Sequence, residues 1–200
     1  GTHPYPETGH RVYHESFVHA MDKLLKKGKR SGRKMPEPLT EEPLENAGMV
    51  FVSPGMLQGA WEKVPDTLSF LPSAYTLTDG IPSIYRTTDT TAVLRYTFHG
   101  PVLGIYDVMG PDCGNIEVTV DGTHTKRVDR FDKYTVRHRF TARVLFDDLE
   151  DTAHTVEIRL TGRKIDKYSV LKPARRGRMD KAPGRFEGST FYPVALLIQK

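Results

Sequence analysis

Two histidine patterns near the start of the chain are of types that can do chemistry. His3 is followed directly by Pro4. His10 and His14 are four residues apart, a spacing that can place two imidazoles on one face of a helix and bind zinc. No His-Glu-x-x-His pattern and no third ligand accompanies this pair. We therefore expect no metal site there, and nothing else in the sequence calls for a cofactor.

Acidic side chains and the single cysteine are weaker candidates. Asp147, Asp148, Glu150 and Asp151 cluster after a strand-like segment. Calcium binds carboxylate clusters of this kind, but a solvated acidic turn is the more common arrangement and is favoured here. Cys113 lies in a Gly-Pro-Asp-Cys-Gly turn with no recognisable base beside it, which disfavours a nucleophilic role. A lone cysteine also excludes a disulfide within the chain.

The residues around His3 resemble a known motif. Gly1-Thr2-His3-Pro4, followed by Gly9 and an amphipathic helix, is similar to the last motif block of the SGNH (GDSL-type) ester hydrolases. In that family an Asp-x-x-His-Pro segment, with a glycine and a C-terminal helix shortly after it, carries the acid and the base of a catalytic triad. The resemblance covers about the first 28 residues and implies that His3 is the catalytic histidine.

The family mechanism needs residues that this sequence does not contain. In it, the histidine accepts the proton of a serine hydroxyl and returns it to the leaving alcohol. A carboxylate orients the imidazole and stabilises its charged form. The position of that aspartate precedes Gly1, and the sequence has neither a Gly-Asp-Ser block nor the Gly and Asn blocks of an oxyanion hole. The resemblance thus implies a C-terminal portion of an ester hydrolase whose upstream SGNH domain is a missing partner. Judged alone, His3 would be interpreted as a terminal histidine without function.

The elements that would position these residues begin with a helix. Over residues 10–27, apolar side chains recur with a 3.6-residue period, which predicts an amphipathic helix. They are Tyr13, Phe17, Ala20, Met21 and Leu24. A single helix cannot bury such a face by itself, so we expect it to dock on another body. Residues 29–47 are first basic and then acidic, with three prolines, and predict a linker.

From Met49 onward the apolar period changes to two. In 115–122, Ile116, Val118 and Val120 are expected to point inward, and Asp121-Gly122 predicts a hairpin turn. Many short strands without helices between them predict a mainly β fold, an antiparallel β-sandwich of jelly-roll type. The domains expected are therefore the SGNH catalytic-histidine segment and helix at 1–28, the linker at 29–47 and the β-sandwich at 48–200.

A second resemblance concerns this sandwich. The segments GPDCGNIEVTVDG (110–122) and DTAHTVEIRLTG (151–162) are similar to jelly-roll accessory domains of esterases and glycan-degrading enzymes. Such domains imply a saccharide ligand, against which aromatic rings stack and carboxylates form hydrogen bonds. The ligand-binding candidates are Trp61, Tyr75, Tyr85, Asp107, Asp112 and Tyr134, with Tyr106 as a further one. Tyrosines in strands are more often core residues, and Trp61 is as well suited to plugging the core as to binding a ligand.

Composition limits the partners. The net charge is +4, and basic residues are concentrated at Lys23–Lys34 and Arg163–Arg185. Neither cluster interleaves aromatics regularly with basic residues, so we interpret both as solvated loops and expect no nucleic acid as partner. No apolar run approaches the roughly 18 residues that span a bilayer, so we expect no membrane partner. A secreted or periplasmic location is favoured.

Two alternatives to the ester hydrolase stay open. The sandwich can be a non-catalytic carbohydrate-binding or interaction module, with the helix as a docking element. It can also be a structural spacer without a ligand, which would require Trp61 and the tyrosines to be buried. In both resemblances the substrate is implied by analogy, because a fold does not determine a function.

Overall fold

The structure, a computed structural model, describes residues 9–27, 46–65 and 81–199. Its contacts divide the chain into two units, Gly1–Pro43 and Leu44–Lys200. His3, Tyr75 and most of the predicted linker lie outside the described residues. Among the helices of the described part, none is long and apolar enough to cross a membrane.

The apolar repeat near the start of the chain forms helix α1 (Arg11–Lys27), within one residue of its predicted beginning. Lys26 and Lys27 lie in its last turn, where positive charge complements the helix dipole. No residue of α1 is buried, and Tyr13 and Phe17 of the predicted apolar face are each about two-thirds exposed. The helix thus presents an apolar stripe, as the sequence predicts.

The second unit is built from antiparallel strands. In chain order these are β1 (Ala47–Phe51), β2 (Leu57–Gln58), β3 (Glu62–Lys63), β4 (Tyr85–Arg86), β5 (Val93–His99), β6 (Leu103–Met109), β7 (Asn115–Val120), β8 (His124–Asp129), β9 (Arg139–Phe146), β10 (Ala153–Leu160) and β11 (Tyr192–Gln199). One sheet has the order β1-β11-β6-β9, the other has the order β2-β5-β10-β7-β8, and β3 and β4 form a separate ribbon. From β5 onward the chain passes repeatedly between the two larger sheets, which is jelly-roll topology. The predicted fold class is confirmed.

The core lies between the two larger sheets. Ile116, Val118 and Val120 of β7 are fully buried there, as their period of two predicts. Phe98 of β5 and Leu196 of β11 belong to the same cluster. Alternation along β7 and β10 therefore places one row of side chains in the core and leaves the other more exposed, whereas β6 and β11 are buried on both faces.

The hairpin between β7 and β8 also follows the prediction. Asp121 and Gly122 have φ values of 53° and 70°, as a tight two-residue turn requires. The Asp121 carboxylate accepts a hydrogen bond of 2.7 Å from the backbone N–H of Thr155, on the neighbouring strand β10. The turn is therefore tied to the sheet by its own side chain.

Two segments differ from expectation. The partly alternating segment TVRHRFTARVLF (135–146) predicts a strand from 135, but β9 begins at Arg139, because the Thr135 hydroxyl donates to the Asp132 carboxylate at 2.7 Å and closes a turn. The basic segment Arg163–Arg185, predicted as a solvated loop, contains α2 (Lys167–Val170) and α3 (Pro173–Lys181). Asp166 caps α2, and Pro173 stands in the first turn of α3, where its missing N–H costs no hydrogen bond.

Candidate functional site

A groove of about 400 Å³ lies between the β3–β4 ribbon and the beginning of β11. Its lining includes Trp61, Glu62, Arg86, Asp89, Asp112 and Tyr192. Trp61 and Asp112 were both predicted to bind ligand, and the fold brings them to the same groove. It thus combines an indole ring, carboxylates and a guanidinium group, which can stack on a polar ring and bond its hydroxyls.

Trp61 is fixed from two sides. Its indole N–H donates to the carbonyl of Gln58 at 3.0 Å, and its ring meets the buried Phe191 edge to face, with centroids 6.1 Å apart. The residue is only half-buried, so part of its surface lines the groove while the rest packs on the core. A ring held in this way loses little conformational freedom when it binds a ligand.

The ribbon positions the charged pair of the groove. Glu62 and Arg86 face each other across β3 and β4, and Nε of Arg86 donates to the Glu62 carboxylate at 2.9 Å. The hydrogen bond to Glu62 raises the pKa of Arg86, which stays charged. Thr87 joins the ribbon to the sandwich, since its hydroxyl donates to the Ala60 carbonyl and its backbone pairs with Phe191.

Asp112 is held by two side chains. Nε2 of His138 lies 2.6 Å from one of its carboxylate oxygens, and the Tyr192 hydroxyl donates to the other. Burial alone would raise the pKa of Asp112, but the hydrogen bonds from His138 and Tyr192 outweigh it, and the pKa is lowered. The carboxylate is therefore ionised at neutral pH. Burial and the bond to Asp112 raise the pKa of Tyr192, which keeps this phenol a donor.

The backbone turn around Asp112 is fixed by its neighbours. The N–H of Cys113 donates to the carbonyl of Gly110, and the N–H of Thr190 donates to the carbonyl of Asp112 at 2.9 Å. Cys113 is fully buried, and its burial raises the pKa of the thiol well above its ordinary value, so it stays protonated. The turn serves to present Asp112, and Cys113 packs beneath it.

Asp107, a predicted ligand-binding residue, has a different place. It is fully buried, and its carboxylate accepts hydrogen bonds from the Arg130 guanidinium, one of them 2.6 Å long at Nε. The Thr141 hydroxyl donates to the same carboxylate at 2.6 Å. Both oxygens are engaged inside the protein and no part of the side chain reaches solvent. Asp107 therefore belongs to an internal ion pair and not to the groove.

The remaining tyrosine candidates lie apart from the groove lining. Tyr85 in β4 packs against the core, and Tyr106 stacks on Phe140 with ring centroids 5.3 Å apart. Tyr134 is 43% exposed on the segment between β8 and β9, among basic side chains. Of the six candidates in the sequence, the described structure thus gathers Trp61 and Asp112.

Sequence patterns did not single out His138, which contacts Asp112, or the charged and phenolic groove residues Glu62, Arg86, Asp89 and Tyr192. His138 and Tyr192 meet Asp112 from 26 and 80 positions away along the chain. No local spacing signals such contacts. The indication that the sequence does contain is Tyr192, a tyrosine at the start of an otherwise apolar strand, because a buried hydroxyl needs a hydrogen-bond partner.

A larger cavity, about 570 Å³, lies on another side of the 110–114 turn and is lined in part by Lys167, Phe186 and Ser189. Lys167 is buried, and its ammonium donates to the carbonyls of Pro111 (2.8 Å), Phe186 (3.0 Å) and Gly188 (3.2 Å). Its three protons are therefore all used, and burial lowers its pKa. This lysine joins the turn of Asp112 to the segment before β11.

No family model and no curated protein sequence matches the chain. Among solved structures, it is similar to a two-domain esterase active on acetylated mannans, with a TM-score of 0.64 and 18% identity over 94% of this chain and 46% of that one. The same esterase co-crystallised with mannopentaose gives a TM-score of 0.63, with 18% identity over 94% and 45% of the two chains. The chain thus spans slightly less than half of the length of that esterase.

A carbohydrate-binding module of family CBM36, in complex with calcium and xylotriose, has a TM-score of 0.41 and 8% identity over 76% of this chain and 98% of that one. That likeness is too low to carry an argument. At 18% identity, the likeness to the two-domain esterase shows a shared fold.

Proposed function

We propose that this chain is the C-terminal portion of an SGNH-type ester hydrolase that acts on acylated carbohydrate, and that its β-sandwich holds the saccharide in the Trp61–Asp112 groove. The observation that carries this proposal is the extent of the structural likeness. Residues 44–200 are less than four-fifths of the chain, so a match over 94% of it extends into the residues before the sandwich. This extent supports a counterpart, in an esterase active on acetylated mannans, both for the sandwich and for part of the segment before it.

The chemistry of the groove supports the saccharide. A pyranose presents C–H groups on its faces and hydroxyls on its rim. The half-buried Trp61 offers a fixed aromatic surface for a face, while Asp112 and Arg86 offer an acceptor and a donor for hydroxyls. The Asp112 carboxylate is already oriented by His138 and Tyr192, so binding does not have to order it.

The catalytic part of the proposal rests on the sequence around His3. In an SGNH hydrolase this imidazole would take the proton of the serine hydroxyl as it attacks the ester carbonyl. It would then give that proton to the leaving sugar hydroxyl, and water would release the acyl group by the same route. The serine, the triad aspartate and the oxyanion hole would come from upstream sequence.

Calorimetric titration of the 200-residue chain with mannopentaose tests the groove. We expect binding that Trp61→Ala weakens at least tenfold and Trp61→Phe weakens less, because a phenyl ring keeps a stacking surface. Tyr168→Ala is the matched control, since Tyr168 is an aromatic residue 43% exposed and distant in sequence from the groove lining. Absence of binding, or equal losses in Trp61→Ala and Tyr168→Ala, would contradict the assignment of the groove.

Hydrolysis of an aryl acetate tests the catalytic part. We expect no turnover above buffer from the 200-residue chain, with or without His3→Ala. With the upstream sequence present, we expect turnover that His3→Ala lowers at least about 10³-fold, since the histidine is both base and acid. Turnover by the 200-residue chain that His3→Ala abolishes would show that the upstream-domain proposal is wrong.

One observation favours the alternative of a non-catalytic saccharide-binding module. Every described residue that lines the groove belongs to 44–200. Mannopentaose binding by the chain, without any esterase activity when the upstream sequence is restored, would support this alternative.

A further inference from the structure

Positive charge is concentrated in the segment that forms α2 and α3. Residues 163–185 contain nine lysines and arginines and two aspartates, a net charge of +7, whereas the whole chain has +4. The rest of the molecule is therefore acidic on balance. Such a separation of charge produces a local positive potential that attracts anions.

Part of this charge converges on one aromatic ring together with a lysine from another segment. Nζ of Lys172 lies 4.3 Å from the centroid of the Tyr134 ring, Nζ of Lys133 lies 5.4 Å from it, and Cζ of Arg175 lies 5.4 Å from it. We call Lys133, Tyr134, Lys172 and Arg175 the Tyr134 cluster. Like charges repel at this range, and the ring offsets only part of that repulsion.

The Tyr134 cluster is held in place by the backbone. The Asp132 carboxylate accepts a hydrogen bond of 2.9 Å from the N–H of Tyr134, which fixes the turn. The N–H of Lys172 donates to the carbonyl of Lys133 at 3.2 Å and joins the two segments. Arg175 follows in the first turn of α3. The backbone that carries the four side chains is thus ordered before any ligand arrives.

No carboxylate within the described residues forms an ion pair with Lys133, Lys172 or Arg175. The adjacent acid, Asp132, pairs instead with Arg139 at 2.7 Å. The hydrogen bond and charge of Lys172, with further charge from Lys133, lower the pKa of the Tyr134 phenol. The positive charge of the Tyr134 cluster is therefore not offset by an ion pair within the described residues.

We propose that the Tyr134 cluster binds a phosphate monoester carried by a saccharide. A phosphate monoester has a charge of about −1.5 to −2 at neutral pH and three strong acceptor oxygens. Two ammonium groups and one guanidinium offer three donor groups to its three acceptor oxygens, and its charge offsets at least about half of theirs, whereas one carboxylate would leave most of the positive charge unpaired. The choice of a saccharide over another phosphate carrier rests on the proposed function.

A titration monitored by two-dimensional ¹H–¹⁵N NMR tests the site. Mannose 6-phosphate is the probe, with mannose, galacturonate and glycerol 3-phosphate as comparisons. We expect mannose 6-phosphate to shift the amide signals of Lys133, Tyr134 and Lys172. The double variant Lys133→Gln/Lys172→Gln should lower the affinity for mannose 6-phosphate at least tenfold. The matched control is Arg178→Gln/Lys181→Gln, which also removes two positive charges, both from α3. It should change the affinity for mannose 6-phosphate less than about twofold.

Each other outcome overturns part of the proposal. Absence of amide shifts with mannose 6-phosphate, or equal losses of affinity in the two double variants, would contradict a defined site. The basic segment would then attract anions only diffusely. Equal affinity for galacturonate would show that phosphate is not the recognised group, and equal affinity for glycerol 3-phosphate would show that the saccharide is not recognised. Mannopentaose is uncharged, and its binding to the groove is tested through Trp61→Ala. Failure of mannose 6-phosphate to bind the Tyr134 cluster is therefore distinguishable from failure of mannopentaose to bind the groove.

Discussion

Gly110 lies so close to His138 that a Cβ on the glycine would be 2.0 Å from Cδ2 of the imidazole. The missing side chain therefore makes room for the ring. In this position Nε2 of His138 reaches the Asp112 carboxylate. The orientation of a groove carboxylate thus depends on a glycine that does not itself line the groove.

Gly110→Ala should displace His138 and leave Asp112 with one fewer hydrogen bond. Overpacking of this kind costs about 1–3 kcal/mol, and we also expect weaker binding of mannopentaose. Urea denaturation and calorimetric titration measure the two effects. Gly177→Ala in α3 is the control, because nothing lies within 4 Å of its added Cβ, and alanine in a helix is favoured by up to about 1 kcal/mol. Unchanged stability and affinity in Gly110→Ala would contradict this role.

The buried ion pair gives a second prediction. Asp107→Asn removes one charge of a fully buried pair and leaves Arg130 uncompensated, which should cost about 3–5 kcal/mol in the free energy of unfolding. Asp107→Leu/Arg130→Met removes both charges and should recover much of that loss. Urea denaturation of the single and double variants measures the difference. A single variant within about 1 kcal/mol of the parent would show that Arg130 finds another partner or reaches water.

Local chemistry accounts for what the sequence predicted well. Ile116 and Val120 are buried because alternation places them on one face of a strand, whatever the partner strand is. The Asp121-Gly122 turn is equally local, since only these two residues need a positive φ. The helices after Asp166 were missed because their sequence is charged and lacks an apolar period, so only the capping signals were present.

Residue type alone could not separate Asp107 from Asp112. They lie five positions apart, and each is a carboxylate near the end of an apolar strand. One is buried against Arg130 and the other is held in the groove by His138 and Tyr192. The difference depends on strands that pair far along the chain, and single-sequence patterns do not carry that information.

Lys167 gives a third prediction. Lys167→Met removes three hydrogen bonds and leaves the carbonyls of Pro111, Phe186 and Gly188 without this donor, so we expect a loss of at least about 2 kcal/mol. Mannopentaose affinity should fall as well, because Pro111 adjoins Asp112. Lys164→Met, an exposed lysine of the same segment, should stay within about 0.5 kcal/mol of the parent. Equal stabilities of the two variants by urea denaturation would show that Lys167 does not hold the turn.

The pH dependence of stability should report on His154. This residue is buried at the start of β10, with Nδ1 2.6 Å from an Asp121 carboxylate oxygen and Nε2 2.7 Å from the Glu150 carbonyl. Both partners are acceptors, so the ring is satisfied when both nitrogens carry a proton. The hydrogen bonds to Asp121 and Glu150 raise the pKa of His154 above its ordinary 6.5.

A histidine whose pKa is higher in the folded state than in the unfolded state stabilises the protein fully at pH values below its unfolded-state pKa. This contribution is lost as the pH rises through the folded-state pKa. His154→Gln should therefore cost most near pH 6 and less near pH 9. Asp121→Asn removes the main cause of the raised pKa and should move the transition to lower pH, while asparagine still tolerates the positive φ. Urea denaturation between pH 5.5 and 9 measures the slopes. A parent protein and a His154→Gln variant with the same slope would show that this histidine does not couple protonation to folding.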